Sequence, residues 1–265
     1  MKPFDVEMKQ IQAGSLKIEV HPSPQAAGEA AARAAVRSLR ELAARKSPIG
    51  VIFATGASQL ETLRALTAMR DAPWEQVTGF HMDEYLGVPP DHPASFRHYL
   101  REYLTQRVSL REFHEINGTS SDSAKTCAEY AKLLRAHDPQ LCLLGIGENG
   151  HLAFNDPAEA NFWDALDVKV VALDRTCRQQ QVEEGWFPNI EEVPGQAITL
   201  TIPALMRVRK LIISAPGQRK AGIINRALKE PVSTACPATI LRAHPDATIY
   251  LDEESASQLE NDVLR

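Results

Sequence analysis

Four consecutive apolar residues, Leu141, Cys142, Leu143 and Leu144, run directly into Gly145-Ile146-Gly147-Glu148-Asn149-Gly150 and deliver His151, followed by Leu152-Ala153-Phe154-Asn155-Asp156-Pro157. A short apolar run bounded by turn residues reads as a strand buried on both faces, the pattern of a parallel sheet. The glycines let the chain turn sharply and bring its backbone close to a ligand. In an open α/β sheet, ligands bind beyond the carboxyl ends of the strands, so His151 sits where chemistry is expected. A lone histidine at a turn also fits an ordinary polar role; Asn149 and Asp156 on either side of it favour the functional one.

The rest of the chain alternates strands with helices. Leu16, Ile18 and Val20 alternate as a short strand, and Ser23-Pro24 reads as an N-cap with proline in the first helical turn. An alanine-rich amphipathic helix over 25–46 follows, with Val36, Leu39 and Leu42 on its apolar face. Further strands are expected over 49–54, 77–82, 168–173, 208–214 and 248–251, with a weaker one over 197–202. Helices are expected from Pro93, over 124–136 and through Leu228, with a polar helical segment carrying Arg175, Arg178 and Gln179; 109–122 reads as irregular. Such alternation predicts a three-layer, mainly parallel, Rossmann-like α/β sheet covered by helices on both faces. No repeat, low-complexity tract or linker interrupts it, so a single domain over 1–265 is expected.

Composition narrows the function classes. A net charge of −5 argues against a general nucleic-acid binder but leaves room for a local basic pocket. Cys127, Cys142, Cys177 and Cys236 form no CxxC pair and no ligand spacing with histidine, so reduced thiols and no metal site are expected. No apolar run spans a membrane and no signal peptide opens the chain, which predicts a cytoplasmic location. Self-association into a homo-oligomer is left open.

Two further turns and one strand end carry candidate chemistry. After the run over 49–54, Thr55-Gly56-Ala57-Ser58 leads into a helical pattern, and a strand, glycine turn and helix start form an anion site from backbone N–H groups. Ser58 and Glu61 equally fit a capping box. A second such turn, Ala215-Pro216-Gly217-Gln218-Arg219-Lys220, adds cations. Asp83 and Glu84 follow a strand; adjacent residues point to opposite faces, so one carboxylate faces the crevice and the other holds backbone or a neighbouring side chain. Whether His81 lines the site stays open. Trp74, Trp163 and Trp186 read as packing residues.

Taken together, Thr55-Gly56-Ala57-Ser58, Met82-Asp83-Glu84-Tyr85-Leu86-Gly87, Gly145 to His151, Phe154-Asn155-Asp156-Pro157 and Gly217-Gln218-Arg219-Lys220-Ala221 resemble the glucosamine-6-phosphate deaminase (isomerase) family, in that family's order. Sugar-phosphate lactonases share the fold and the Gly-His turn, but Asp83-Glu84-Tyr85 resembles the deaminase side. The resemblance implies conversion of an amino sugar 6-phosphate and water to fructose 6-phosphate and ammonia, without a metal or redox cofactor. It implies that Thr55, Gly56, Ala57, Ser58, Arg178 and Lys220 hold the phosphate, and that Asp83 moves a proton from C2 to C1. It implies that His151 protonates the ring oxygen, oriented by Asn149 and Asp156. Glu84 and Gly147 complete the residues expected to contact substrate.

Asn149 stands where many members carry aspartate, and Asp156 where glutamate follows Phe-Asn, so the histidine is expected to be flanked by one negative charge instead of two. Ala57, Ser58 and Gln59 replace the usual Gly, Thr and Pro of the phosphate turn. A 6-phosphogluconolactonase and a non-catalytic sugar-phosphate sensor are the competing readings; the segment before Ser23 leaves no room for the DNA-binding helix-turn-helix that such sensors carry.

Overall fold

The computed structural model describes residues 9–45 and 48–259. Strands β1 (Lys9–Ala13) and β2 (Leu16–His21) lead to helix α1 (Pro24–Ala43), strand β3 (Ile49–Phe53) and helix α2 (Leu60–Ala68). Strands β4 (Val77–His81) and β5 (Asp83–Tyr85), helix α3 (Phe96–Leu100), strand β6 (Glu112–His114) and helix α4 (Ser123–His137) follow. Next come strands β7 (Leu141–Leu144) and β8 (Val168–Ala172), helix α5 (Arg175–Glu183), strand β9 (Gln196–Leu200) and helix α6 (Ile202–Met206). Strand β10 (Lys210–Ser214), helix α7 (Ala221–Lys229) and strand β11 (Ala247–Asp252) close the described chain.

The main sheet has the order β1-β2-β11-β10-β7-β3-β4-β6 and is parallel except for the antiparallel β1–β2 pair. Its continuous apolar runs follow from burial on both faces. Val51, Phe53, Leu141, Leu143 and Ile212 enter the core shared with α1 and α2, while Ile52, Cys142, Leu144, Leu211 and Ile213 enter the core shared with α4 and α7. Alternate side chains of a strand point to opposite faces, so each strand feeds both cores. Each such burial contributes about 1.5–3 kcal/mol, and Leu143→Ala would cost about 2–5 kcal/mol. Ser23 caps α1, its hydroxyl accepting from the Ala26 N–H at 3.2 Å, with Pro24 in the first turn.

Several local expectations are corrected. Strands β8 and β9 do not join the main sheet; with β5 they form a separate antiparallel sheet, β5-β9-β8. In β8 the buried Val168 and Val171 point to opposite faces of the strand and enter different apolar cores. Residues 112–114 are a short edge strand on β4, where irregular chain is expected, because pairing rather than local pattern makes it. The helix expected at Pro93 starts at Phe96 and continues as a π-turn over Arg101–Thr105. Trp74 is buried and Trp186 lies edge-on to Tyr99, but Trp163 is 91% exposed and packs on nothing of the core. All four cysteines are buried free thiols.

Strand β7 lies between β3 and β10, and from this pair of neighbours the chain leaves in opposite directions, towards β4 and β11. The carboxyl ends of β3, β4, β7 and β10 therefore converge at a switch point, where an open sheet of this kind leaves a crevice.

Candidate functional site

A cavity of about 390 Å³ occupies that crevice. Two turns of the same shape flank it. Gly56 (φ +93°) and Gly217 (φ +94°) each open a 3-10 turn, over Ala57–Gln59 and Gln218–Lys220, that runs into α2 and α7. A positive φ favours glycine, and the first N–H groups of each helical turn have no partner within the helix. Thr55, Gly56, Ala57 and Ser58 all line the cavity, as do Gly217 and Lys220. The capping box does not form: no side chain caps α2, Glu61 pairs with Arg64, and the Ser58 hydroxyl accepts only from the neighbouring Gln59 amide. Gln59 is fully buried and donates to the Leu144 carbonyl at 3.1 Å, tying the turn to the end of β7. Tyr99 donates to the Gly56 carbonyl at 2.9 Å from the other side.

Lys220 is the buried cation of the cavity, and burial lowers its pKa even though Glu184 and Glu148 oppose that shift. Arg219 also lines it, paired with Glu148 at 2.8 Å and with Glu183. Arg178 does not reach the cavity, contrary to expectation: its guanidinium donates to the Ile190 carbonyl. Helix α5 turns Cys177, Gln180, Gln181 and Glu184 inwards at i, i+3, i+4 and i+7, and Arg178 sits roughly 100° round from Cys177. Gln180, Gln181 and Glu184 form the cavity wall in its place. That spacing was present in the sequence, but the phase of the helix against the sheet was not.

Asp83 and Glu84 point to opposite faces of β5. Asp83 lines the cavity, and burial, reinforced by the nearby Glu84 charge, raises its pKa to about 8. Glu84 is corrected as a substrate contact: it lies behind the wall, fully buried. Its carboxylate accepts from the N–H groups of Tyr85, Phe96 and Arg97, the Ser95 hydroxyl and the Arg97 guanidinium, at 2.8–3.1 Å. An anion at the N-terminus of α3 is favoured by the free N–H groups there. Thus Glu84 fixes α3, and Tyr99 on α3 supports the Gly56 turn. His81 is also outside the cavity, fully buried, its pKa lowered to about 3 by burial and by Arg97.

His151 lines the cavity in front of a buried network. Its ring lies so close over Gly147 that a Cβ there would fall 2.2 Å from the imidazole. Its Nδ1 lies 2.9 Å from Asp156 Oδ1, although the N–H points off that oxygen. Catalytic contacts of this kind commonly tighten in the complex with substrate. Asn149 accepts from the His151 N–H at 3.0 Å and donates to Asp156 at 2.9 Å and to Asp174 at 3.0 Å. Asp174 caps α5 through the Cys177 N–H, and its own N–H donates to Asp156 at 3.2 Å. Burial pushes the Asp156 pKa up, but the adjacent His151 ring and the hydrogen bonds from Asn149 and Asp174 outweigh it and hold the carboxyl below its usual range. Two carboxylates, not the expected one, therefore belong to the network. The sequence signal for Asp174 was an acidic N-cap at the start of a helix, which reads as structural.

The loop after His151 is held under strain. Ala153 adopts φ +50°, uncommon for a side-chain-bearing residue. It persists because Phe154 donates to the Thr199 hydroxyl at 3.0 Å and the Asn155 amide donates to the Leu152 and Leu200 carbonyls at 2.8 Å. His151, Asp156 and Cys177 bring donor atoms within 4.8 Å of one another. Burial drives the Cys177 pKa well up, and the Asp156, Asp174 and Asp83 carboxylates nearby push it the same way.

The family model described as glucosamine-6-phosphate isomerases/6-phosphogluconolactonase matches residues 22–250. Glucosamine-6-phosphate deaminase from Listeria monocytogenes serotype 4a (strain HCC23) is 37% identical over 207 residues, 78% of this chain and 86% of that protein. The enzyme of the same name from Exiguobacterium sibiricum is 34% identical over 226 residues, 85% of this chain and 87% of its own. A solved monomeric glucosamine-6-phosphate deaminase superposes with a TM-score of 0.83 at 27% identity, over 91% of this chain and 99% of that chain. The 6-phosphogluconolactonase from Trypanosoma brucei superposes at 0.77 with 22% identity, over 92% and 98%, a likeness of fold alone.

Proposed function

The chain belongs to the glucosamine-6-phosphate isomerase/6-phosphogluconolactonase family, and from that premise we propose that it converts glucosamine 6-phosphate and water to fructose 6-phosphate and ammonia. The supporting observation is that Asp83, His151 and Lys220 line one cavity. Lys220 and the N–H groups and hydroxyls of Thr55 to Ser58 take the phosphate, since a dianion calls for a fixed cation and backbone donors. His151, steadied by Asp156 and Asn149, gives a proton to the ring oxygen and opens the sugar. Asp83 removes the C2 proton and returns it to C1; one base serves both carbons because they are adjacent in the enediol-like intermediate. The C2 imine so formed takes up water and releases ammonia. The positive amino group of the incoming sugar favours the ionised form of Asp83. The action is proposed to be cytoplasmic; among the described residues, no helix is long and apolar enough to cross a membrane.

Lactone hydrolysis needs no carbon-to-carbon proton shuttle, so the buried Asp83 carboxyl favours the deaminase over the lactonase. Incubation with glucosamine 6-phosphate, with ammonia and fructose 6-phosphate followed together, tests the assignment. Equimolar release of both is expected, and its abolition in Asp83→Asn. Hydrolysis of 6-phosphogluconolactone without ammonia release from the amino sugar would overturn it.

A further inference from the structure

Outside the cavity, β6 and the end of α4 bring together Glu112, His114 and His137, each offering a donor atom within 4.8 Å of the other two. None of the three lines the cavity. We propose that this cluster is a binding site for a divalent transition metal ion of the zinc class. Glu112 and His114 are two apart on a strand and so share a face, which puts the Glu112 carboxylate 3.5 Å from His114 Nε2. That Nε2 is buried and has no hydrogen-bond partner. His137 comes from the last turn of α4, its ring 5.2 Å from that of His114. Its Nδ1 lies 3.0 Å from the Leu133 carbonyl. A carbonyl only accepts, so Nδ1 carries the proton and Nε2 keeps the lone pair, the tautomer that a backbone carbonyl imposes on metal-binding histidines.

Two imidazoles and a carboxylate suit zinc, cobalt or nickel; calcium and magnesium take oxygen ligands. The site carries one formal negative charge from Glu112 and opens to solvent on that side, since the Glu112 side chain is 53% exposed while that of His114 is 15%. Water completes the coordination. Both rings rest on Phe80, 5.0 and 5.3 Å away, which limits their freedom before the ion arrives. The bound ion clips the edge strand β6 to α4. This role is independent of the deaminase assignment and stands or falls separately from it.

Titration of the whole chain with Co²⁺ tests the site directly. One equivalent should bind with a visible d–d band, and Zn²⁺ should displace it. At Zn²⁺ about 100-fold above Kd, Tm should rise by about 5 °C or more. The double variant His114→Gln/His137→Gln should lose the band and the Tm shift yet keep wild-type ammonia release, and Glu112→Gln should weaken binding at least about 10-fold. Absence of a saturable Co²⁺ band in the wild type overturns the proposal. A band that survives in the double variant and disappears in Cys177→Ser also overturns it, by placing the ion at the His151 network.

Discussion

Asn149 donates a hydrogen bond to Asp174 across 3.0 Å, and the same amide nitrogen donates to Asp156. An aspartate at 149 has no proton to offer either carboxylate at neutral pH. The asparagine and Asp174 thus belong together: the second negative charge near the histidine sits behind position 149 rather than on it. Asn149→Asp places a third carboxylate between two others and should destabilise the fold by about 1–3 kcal/mol at pH 7. Urea unfolding at pH 7 and pH 5 checks this, since protonation should shrink the loss at the lower pH. Asp174→Ala should lower kcat by about 10-fold through the loosened Asp156 and cost about 1 kcal/mol as a lost helix cap. Unchanged turnover in Asp174→Ala would show that the cap is its only role.

Asp83 should impose an ascending limb on kcat/KM. A base must be ionised, and burial raises the pKa of this carboxyl to about 8. A pH–rate profile should therefore rise towards pH 8, and Asp83→Asn should reduce kcat by about 10²–10⁴-fold. Stability runs the other way. The folded pKa is raised from 3.8 to about 8, so the stability this group contributes is complete below the lower value and lost as pH rises through the upper one. Asp83→Asn should be more stable than the wild type at pH 8, by on the order of 2–4 kcal/mol, with the gap closing towards pH 4. Thermal melts across that range measure it.

Lys220 and Arg178 separate cleanly in steady-state kinetics. Lys220→Ala removes the buried cation from the cavity and should raise KM about 10- to 100-fold, the worth of one charge-assisted hydrogen bond. Arg178→Ala removes a bond to the Ile190 carbonyl and should leave KM within about twofold. A large KM effect at Arg178 would mean that α5 rotates when substrate binds.

Glu84→Ala tests the architecture behind the site. It leaves the Arg97 guanidinium buried and unpaired and uncaps α3, which should cost about 3–5 kcal/mol. Urea denaturation measures the loss. At a temperature where the variant remains folded, KM should rise by about 2- to 5-fold, because α3 then holds Tyr99 less firmly against the Gly56 turn.

The alternation of strand and helix, the apolar runs of β3, β7 and β10, the Ser23 cap and the position of His151 on a glycine turn were all legible in the sequence, because period and turn chemistry are local. So was the division of labour between Asp83 and Glu84, since a strand sends neighbours to opposite faces; which of them met the cavity was not. Arg178 illustrates the boundary. A helix pattern says which residues share a stripe, but the angle at which that stripe meets the sheet depends on packing, and it turned Gln180, Gln181 and Glu184 inwards instead. Asp174, the separate β5-β9-β8 sheet and the approach of His137 to His114 lay beyond local reading for the same reason. They join segments far apart in the chain, and only the closed cores on the two faces of the sheet bring those segments within hydrogen-bonding distance.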